Sequence, residues 1–201
     1  MTEALTAALT AAADALDEQK DELTRLDALQ GDGDLGRTAG TIASTIRQVV
    51  GEAPEADAPA LLLGVGTRIA FAAPSSSGTL IASAFIGAAK AIQANTSRNP
   101  LTHGLHAAVD AVQQRGKAKP GDRTMLDAAV PALNQLESDP SDLGGAARAA
   151  EAGAEATRGM EARIGRARFL AGNAKGEPDP GAVMIAVALS AALRAIVDLA
   201  D

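Results

Sequence analysis

Leu26-Asp27-Ala28-Leu29-Gln30-Gly31-Asp32-Gly33-Asp34-Leu35-Gly36, residues 26–36, is where one apolar stripe ends and another begins. Upstream, Leu5, Leu9, Leu16, Leu23 and Leu26, with alanines between them, recur at helical spacing over Thr2 to Leu26, and Asp17, Glu18, Lys20 and Asp21 supply a polar face. Downstream, Ile42, Ile46, Val49 and Val50 mark a second helix that stops near Gly51. Two helices joined by a short glycine turn favour an antiparallel pair. The rest of the chain is organised the same way.

After a loop from Glu52 to Pro59, a third helix runs from Leu61 to Ala73 and ends at Pro74. Ser75-Ser76-Ser77-Gly78 opens a fourth that continues to about Ala94, and Asn99-Pro100 opens a fifth, Leu101 to Arg115. Residues 117–122 separate it from a sixth, Thr124 to Leu136, which Pro131 should kink or shorten. A seventh element spans Ser141 to Met160, an irregular stretch follows from Gly165 to Gly181, and Val183 to Leu199 is the eighth. The expectation is an all-α protein, one domain over residues 1–201.

Composition agrees. The 201 residues include 48 alanines, 20 glycines and only three aromatics (Phe71, Phe85, Phe169), so the core must be made of small and aliphatic side chains, which suits closely packed helices better than a β-sandwich or barrel. A formal charge of −7 with no Tyr or Trp argues against a nucleic-acid surface. No cysteine is present, which removes thiol nucleophiles and thiolate metal sites; only His103 and His106 offer imidazole, and they read as structural or surface residues. Met1-Thr2-Glu3 does not begin like a signal peptide, and no stretch reads as the ~18 apolar residues of a membrane span, so a cytoplasmic location is expected.

The chemistry therefore falls to the connections. Asp27, Asp32 and Asp34 converge on one turn, where three carboxylates repel one another unless a cation intervenes, and oxygen ligands suit Mg²⁺ or Ca²⁺. A calcium EF-hand loop counted from Asp32 would need a glutamate at its twelfth position, which is Ala43. Mg²⁺ borrows ligands from phosphate, and the turn leads into a helix N-terminus, a natural anion site. Against this stands the ordinary role of Asp and Gly in turns and caps, and spacing alone does not choose. Ser75 to Thr79 is likewise either a phosphate cradle or a plain cap. Gly116-Lys117 is no Walker motif. Arg166 sits among Arg163, Arg168 and Lys175, as a phosphate contact or as part of a solvated charge cluster.

Taken together, residues 26–34, Ser76-Ser77-Gly78, the block from Gly116 to Asp127, Gly165-Arg166-Ala167 and Asp179-Pro180-Gly181-Ala182 resemble, in order and over nearly the whole chain, the nucleotide-binding L subunit of dihydroxyacetone kinase, the DAK2-domain family. The resemblance implies a barrel of eight antiparallel helices with an adenine nucleotide, ADP or ATP, at one end. It implies that Asp27, Asp32 and Asp34 hold two Mg²⁺ ions; that Leu35, Gly36, Arg37 and Thr38 border the nucleotide; and that Ser76 and Ser77 meet its phosphates. Gly116 and Met125 then correspond to the adenine pocket, Arg166 to a phosphate contact, and Asp179, Pro180 and Gly181 to the loop closing the site. Two positions depart from the family: Leu35 replaces a histidine, and Thr38 stands where asparagine is common. The implied partner is a K-type subunit that binds the ketose covalently through a histidine. In some members a phosphotransferase-system M protein recharges bound ADP from phosphoenolpyruvate; others use ATP. A homodimer is compatible with either. Erythrulose as the ketose, and a nucleotide-sensing subunit without transfer, are the alternative expectations.

Overall fold

The computed structural model describes residues 2–94, 99–169 and 176–200. Among them are nine α-helices and no strand: α1 (Thr2–Glu18), α2 (Lys20–Ala28), α3 (Leu35–Glu52), α4 (Ala58–Ala72), α5 (Ser76–Ala94), α6 (Pro100–Gly116), α7 (Leu126–Ser138), α8 (Leu143–Ala156) and α9 (Pro180–Asp198). Short 3-10 turns lie at Thr157–Gly159 and Arg166–Phe169.

There is a ninth helix because the first expected one divides at Gln19. Just beyond the division Thr24 Oγ1 donates to the Lys20 carbonyl (2.9 Å), and α3 packs closely on this part of α2. Gly36 permits the approach, since a Cβ there would collide with that carbonyl and with the Thr24 hydroxyl. Counted as one bent rod, α1 and α2 restore the expected eight.

The helices form a closed ring. α3 packs on α1 and α2, each later helix packs on its predecessor, and α9 returns to α1. Large side chains on the inner faces, among them Leu23, Leu26, Ile42, Ile46, Leu61 and Ile69, are almost wholly buried. Each such burial stabilises by roughly 1.5–3 kcal/mol. The ring surrounds an apolar pocket of about 530 Å³, open on one side, whose walls include Leu9, Ile46, Ile81, Val109 and Met184. A second cluster, Ala128, Ala132, Ala146, Ala147, Ala150 and Leu193, joins α7, α8 and α9 through small side chains.

Pro131 does not break its helix, which starts two residues later than expected, at Leu126. Proline has no N–H for the Asp127 carbonyl four residues back, and that carbonyl lies against Gly153 of α8 instead. The seventh expected helix ends early, at Ala156, and the last begins early, at Pro180, where Asp179 caps it. The apolarity of α9 also corrects the sequence reading. With a mean hydropathy of 1.9 it is, by length and composition, sufficient to cross a membrane; its alanines conceal this from a search for bulky apolar runs, and here it packs against α1, α7 and α8.

Because neighbouring helices alternate in direction, the α2–α3, α4–α5, α6–α7 and α8–α9 connections gather at one end of the ring, and α3, α5, α7 and α9 all begin there. Four helix N-termini with partial positive charge thus face the same space.

Candidate metal and nucleotide site

That space is a cleft of about 450 Å³ lined by residues from all four connections. On one wall α2 ends at Ala28, and Gly33, with φ +72°, turns the chain so that α3 can start within reach of Asp27. Asp27 Oδ2 accepts from the amides of Asp34 (2.9 Å) and Leu35 (3.3 Å). It thereby takes the capping role that Asp34, nominally at the cap position, does not perform with its own side chain. Asp34 meets Arg37 instead (3.4 Å).

Asp27, Asp32 and Asp34 each place a carboxylate oxygen within 4.8 Å of the others, the only such group of three among the described residues. Burial pushes the Asp27 carboxyl above its ordinary range; the Leu35 and Asp34 amides pull it back, and the charges of Asp32 and Asp34 push it up again. An all-oxygen set under this repulsion fits a hard divalent cation. His106 takes no part: it is exposed and bonds Glu137 through Nδ1 (2.8 Å).

At the start of α5, Ser75 is the organiser. Its Oγ accepts from Gly78 N (3.0 Å), its carbonyl from Thr79 N (2.9 Å), and Thr38 Oγ1 lies 3.2 Å from the same hydroxyl. Ser75 thereby ties α3 to α5, while Ser76 and Ser77 line the cleft and their amides have no acceptor among the described residues. First-turn amides of this kind are anion donors.

The third wall is the 117–125 loop. Asp127 accepts from Gly121 N (2.5 Å) and Thr124 N (2.7 Å), and Asp122 from Lys119 N (2.9 Å), so two buried carboxylates fix its course. Arg123, buried and left-handed at φ +62°, donates to the carbonyls of Thr157 (3.2 Å) and Glu177 (2.8 Å), tying this loop to the fourth wall. There Asp179 caps α9 by accepting from Ala182 N (2.8 Å), and its own amide donates to Thr157 Oγ1 (2.8 Å). Burial pushes the Asp179 carboxyl up to about 7, against the pull of the Ala182 amide and the Arg123 charge. Glu177 is clamped by Arg25 (3.1 Å) and Arg158 (3.3 Å).

Of the residues singled out in the sequence, Asp27, Asp32, Asp34, Leu35, Ser76, Ser77, Gly116, Met125, Asp179, Pro180 and Gly181 all line the cleft. Gly36, Arg37 and Thr38 do not: Gly36 packs on α2, Arg37 points to solvent beside Asp34, and Thr38 is buried behind Ser75. The backbone of Arg166 starts a 3-10 turn; its side chain, and the whole of Lys175, lie outside what the structure describes. Sequence reasoning missed Gln30, Arg123, Thr124 and Phe169 as lining residues. Thr124-x-x-Asp127 has the spacing of a capping box and could have been read as one. Arg123 carries no such signal, because its role depends on carbonyls more than thirty positions away.

A family model described as the DAK2 domain matches residues 29–194. The human protein "Triokinase/FMN cyclase" is 37% identical over 188 residues, which are 90% of this chain and 32% of that protein. The Escherichia coli "PEP-dependent dihydroxyacetone kinase, ADP-binding subunit DhaL" is 33% identical over 186 residues, 88% of this chain and 89% of that one. The crystal structure of the dihydroxyacetone kinase from C. freundii in complex with AMP-PNP and Mg²⁺ superposes with a TM-score of 0.79 at 29% identity, covering 94% of this chain and 33% of that chain. The chain thus spans about a third of the human and C. freundii proteins and nearly all of the E. coli subunit.

Proposed function

The chain belongs to the DAK2 domain family, and from that premise we propose that it is the Mg²⁺–adenine nucleotide carrier of a ketose kinase, delivering a phosphoryl group to a short-chain ketose held by a separate K-type partner. The observation that carries this reading is the convergence of Asp27, Asp32 and Asp34 beside the first-turn amides of α5, in a cleft where four helices begin. A solved relative of the same fold is a complex with AMP-PNP and Mg²⁺.

In this mechanism Asp27, Asp32 and Asp34 hold the magnesium, two ions in the full site, and Ser76 and Ser77 donate to phosphate oxygens. Magnesium supplies the charge neutralisation that phosphoryl transfer needs. The helix N-termini add fixed positive potential that needs no reorganisation during transfer. Gly116, Met125 and the Asp179-Pro180-Gly181 turn border the base, and Arg166 adds a phosphate contact. No residue of this chain need act as the general base, since the acceptor hydroxyl is held by the partner. The whole of residues 1–201 acts as one nucleotide domain, in the cytoplasm. Dihydroxyacetone is the first substrate and erythrulose the second, the choice resting with the partner.

Calorimetry with Mg-ADP on wild type and Asp32→Asn tests the first half: binding in the wild type that weakens at least tenfold in the variant is expected, and no binding in either overturns the reading. Phosphoryl transfer to dihydroxyacetone on addition of a K-type partner tests the second. ADP retained through dialysis points to an M-protein relay, and free exchange points to ATP.

A further inference from the structure

Only three aromatic side chains occur in the chain, and two of them are on the surface: Phe71 is 83% exposed and Phe169 74%. Both stand at the mouth of the cleft. Phe71 lies one residue before the end of α4, and the exposed Ala72, Pro74 and Ser76 continue its surface to the serine wall. Phe169, with the Arg168 guanidinium 4.4 Å over its ring, belongs to the α8–α9 connection, across the ring from Phe71. A core this poor in large side chains would gain by burying a phenylalanine, so a pair left bare on one rim marks an interaction surface.

Charge is distributed just as unevenly. Elsewhere exposed arginines are paired, Arg47 with Asp14 and Asp17, Arg68 with Glu52, and Arg194 with Glu151. Arg115, Lys117, Lys119, Arg163 and Arg168 are exposed and meet no carboxylate among the described residues, and all five lie at or beside the α6–α7 and α8–α9 connections. Lys90, toward the far end of α5, is the other described cation of this kind. Glu55, Asp57, Asp139 and Asp142 lie at the opposite end, so a chain of net charge −7 turns its unpaired positive charge toward the mouth.

We propose that this rim is the docking face for the ketose-holding partner, with Phe71 and Phe169 entering apolar recesses of the partner and the five cations facing carboxylates around them. On the functional reading above, from which this follows, the phosphoryl group passes from the cleft to a hydroxyl on another chain with water excluded, so the partner must close on the residues that surround the mouth. A bound nucleotide does not account for the pattern, because Phe71, Arg115, Lys117 and Lys119 stand outside the cleft lining. Buried anchors carry most of the affinity of such contacts, whereas rim charges set the encounter rate and its salt dependence.

The test follows phosphoryl transfer to dihydroxyacetone at increasing concentrations of the K-type partner, for wild type, Phe71→Ala, Lys119→Glu and a far-end control, Leu199→Ala, whose side chain is also exposed. Circular-dichroism melting confirms folding, and calorimetry with Mg-ADP reads the cleft itself. Phe71→Ala is expected to raise the half-saturating partner concentration roughly tenfold or more, with Mg-ADP affinity and the rate at saturating partner unchanged. Lys119→Glu is expected to raise it roughly threefold to tenfold at about 50 mM KCl and to lose most of that difference at about 500 mM, where the charge is screened. Leu199→Ala is expected to match wild type. Half-saturation unchanged in both rim variants, an equal loss in Leu199→Ala, or a parallel loss of Mg-ADP affinity overturns the inference. So does a wild type that sediments as a dimer, or binds phosphatidylglycerol vesicles, through a contact that Phe71→Ala abolishes while the partner titration stays unchanged; the face then belongs to a second copy or to a membrane. A wild type that transfers no phosphoryl group with a K-type partner overturns the functional reading and this inference with it; transfer that the rim variants leave intact overturns this inference alone.

Discussion

Asp179→Asn separates the structural role of a buried carboxylate from its charge. Asparagine keeps the oxygen that caps α9 through Ala182 N, so the geometry is preserved while the titration is removed. In the folded protein the wild-type carboxyl is pushed up to about 7 by burial, with Asp127 adding to the shift and the Ala182 amide and Arg123 opposing it. Unfolded, it ionises near the ordinary aspartate value of 3.8. The folded pKa lies above the unfolded one, so between those values the folded chain keeps a proton that the unfolded chain has lost. Stability must therefore fall as pH rises through this window and stop responding to this group above about 7. At 1.36 kcal/mol per unit the loss amounts to about 4 kcal/mol. The assay is urea unfolding followed by far-ultraviolet circular dichroism, since the chain has no Trp or Tyr, from pH 4.5 to 8.5 without metal or nucleotide. Contributions of acids remote from Asp179 cancel in the difference between the two proteins. Asp179→Asn is expected to gain stability relative to wild type progressively up to pH 7, then run parallel to it. A difference independent of pH would refute the reasoning, because it would mean that the carboxyl ionises in its buried position as easily as in water.

Two further substitutions test the frame around the cleft. Gly36→Ala puts a methyl group into the Lys20 carbonyl, so it should cost about 1–3 kcal/mol and, by lifting the start of α3 off α2, weaken Mn²⁺ binding; unchanged stability in denaturant would show that the close approach is not needed. Asp57→Ala removes the cap of α4, whose oxygen accepts from Ala60 N (2.9 Å) at the opposite end of the ring. It should cost about 1 kcal/mol with Mg-ADP affinity unchanged, as read by denaturation and calorimetry, and a shift in affinity would show that the two ends are coupled.

Features that depend on neighbours along the chain are readable from the sequence. Leucine and isoleucine at helical spacing set the helices, and serine, asparagine, proline and glycine punctuated them closely enough that the starts of α5 and α6 were legible to within a residue. The Asp27, Asp32 and Asp34 cluster was legible for the same reason, since one tight turn brings together residues that are seven positions apart. The tertiary structure alone decided what depends on contacts between distant segments. The break at Gln19 occurs where α3 lands on α2, Pro131 is accommodated because Gly153 lies opposite its orphaned carbonyl, and Thr38 turns inward because Ser75 is there to meet it. Arg123 and Gln30 become ties only when Thr157, Glu177 and Pro178 have been carried round the ring to them. Local propensity acts over a few residues, whereas burial and orphaned hydrogen-bonding groups are set by the closed ring as a whole.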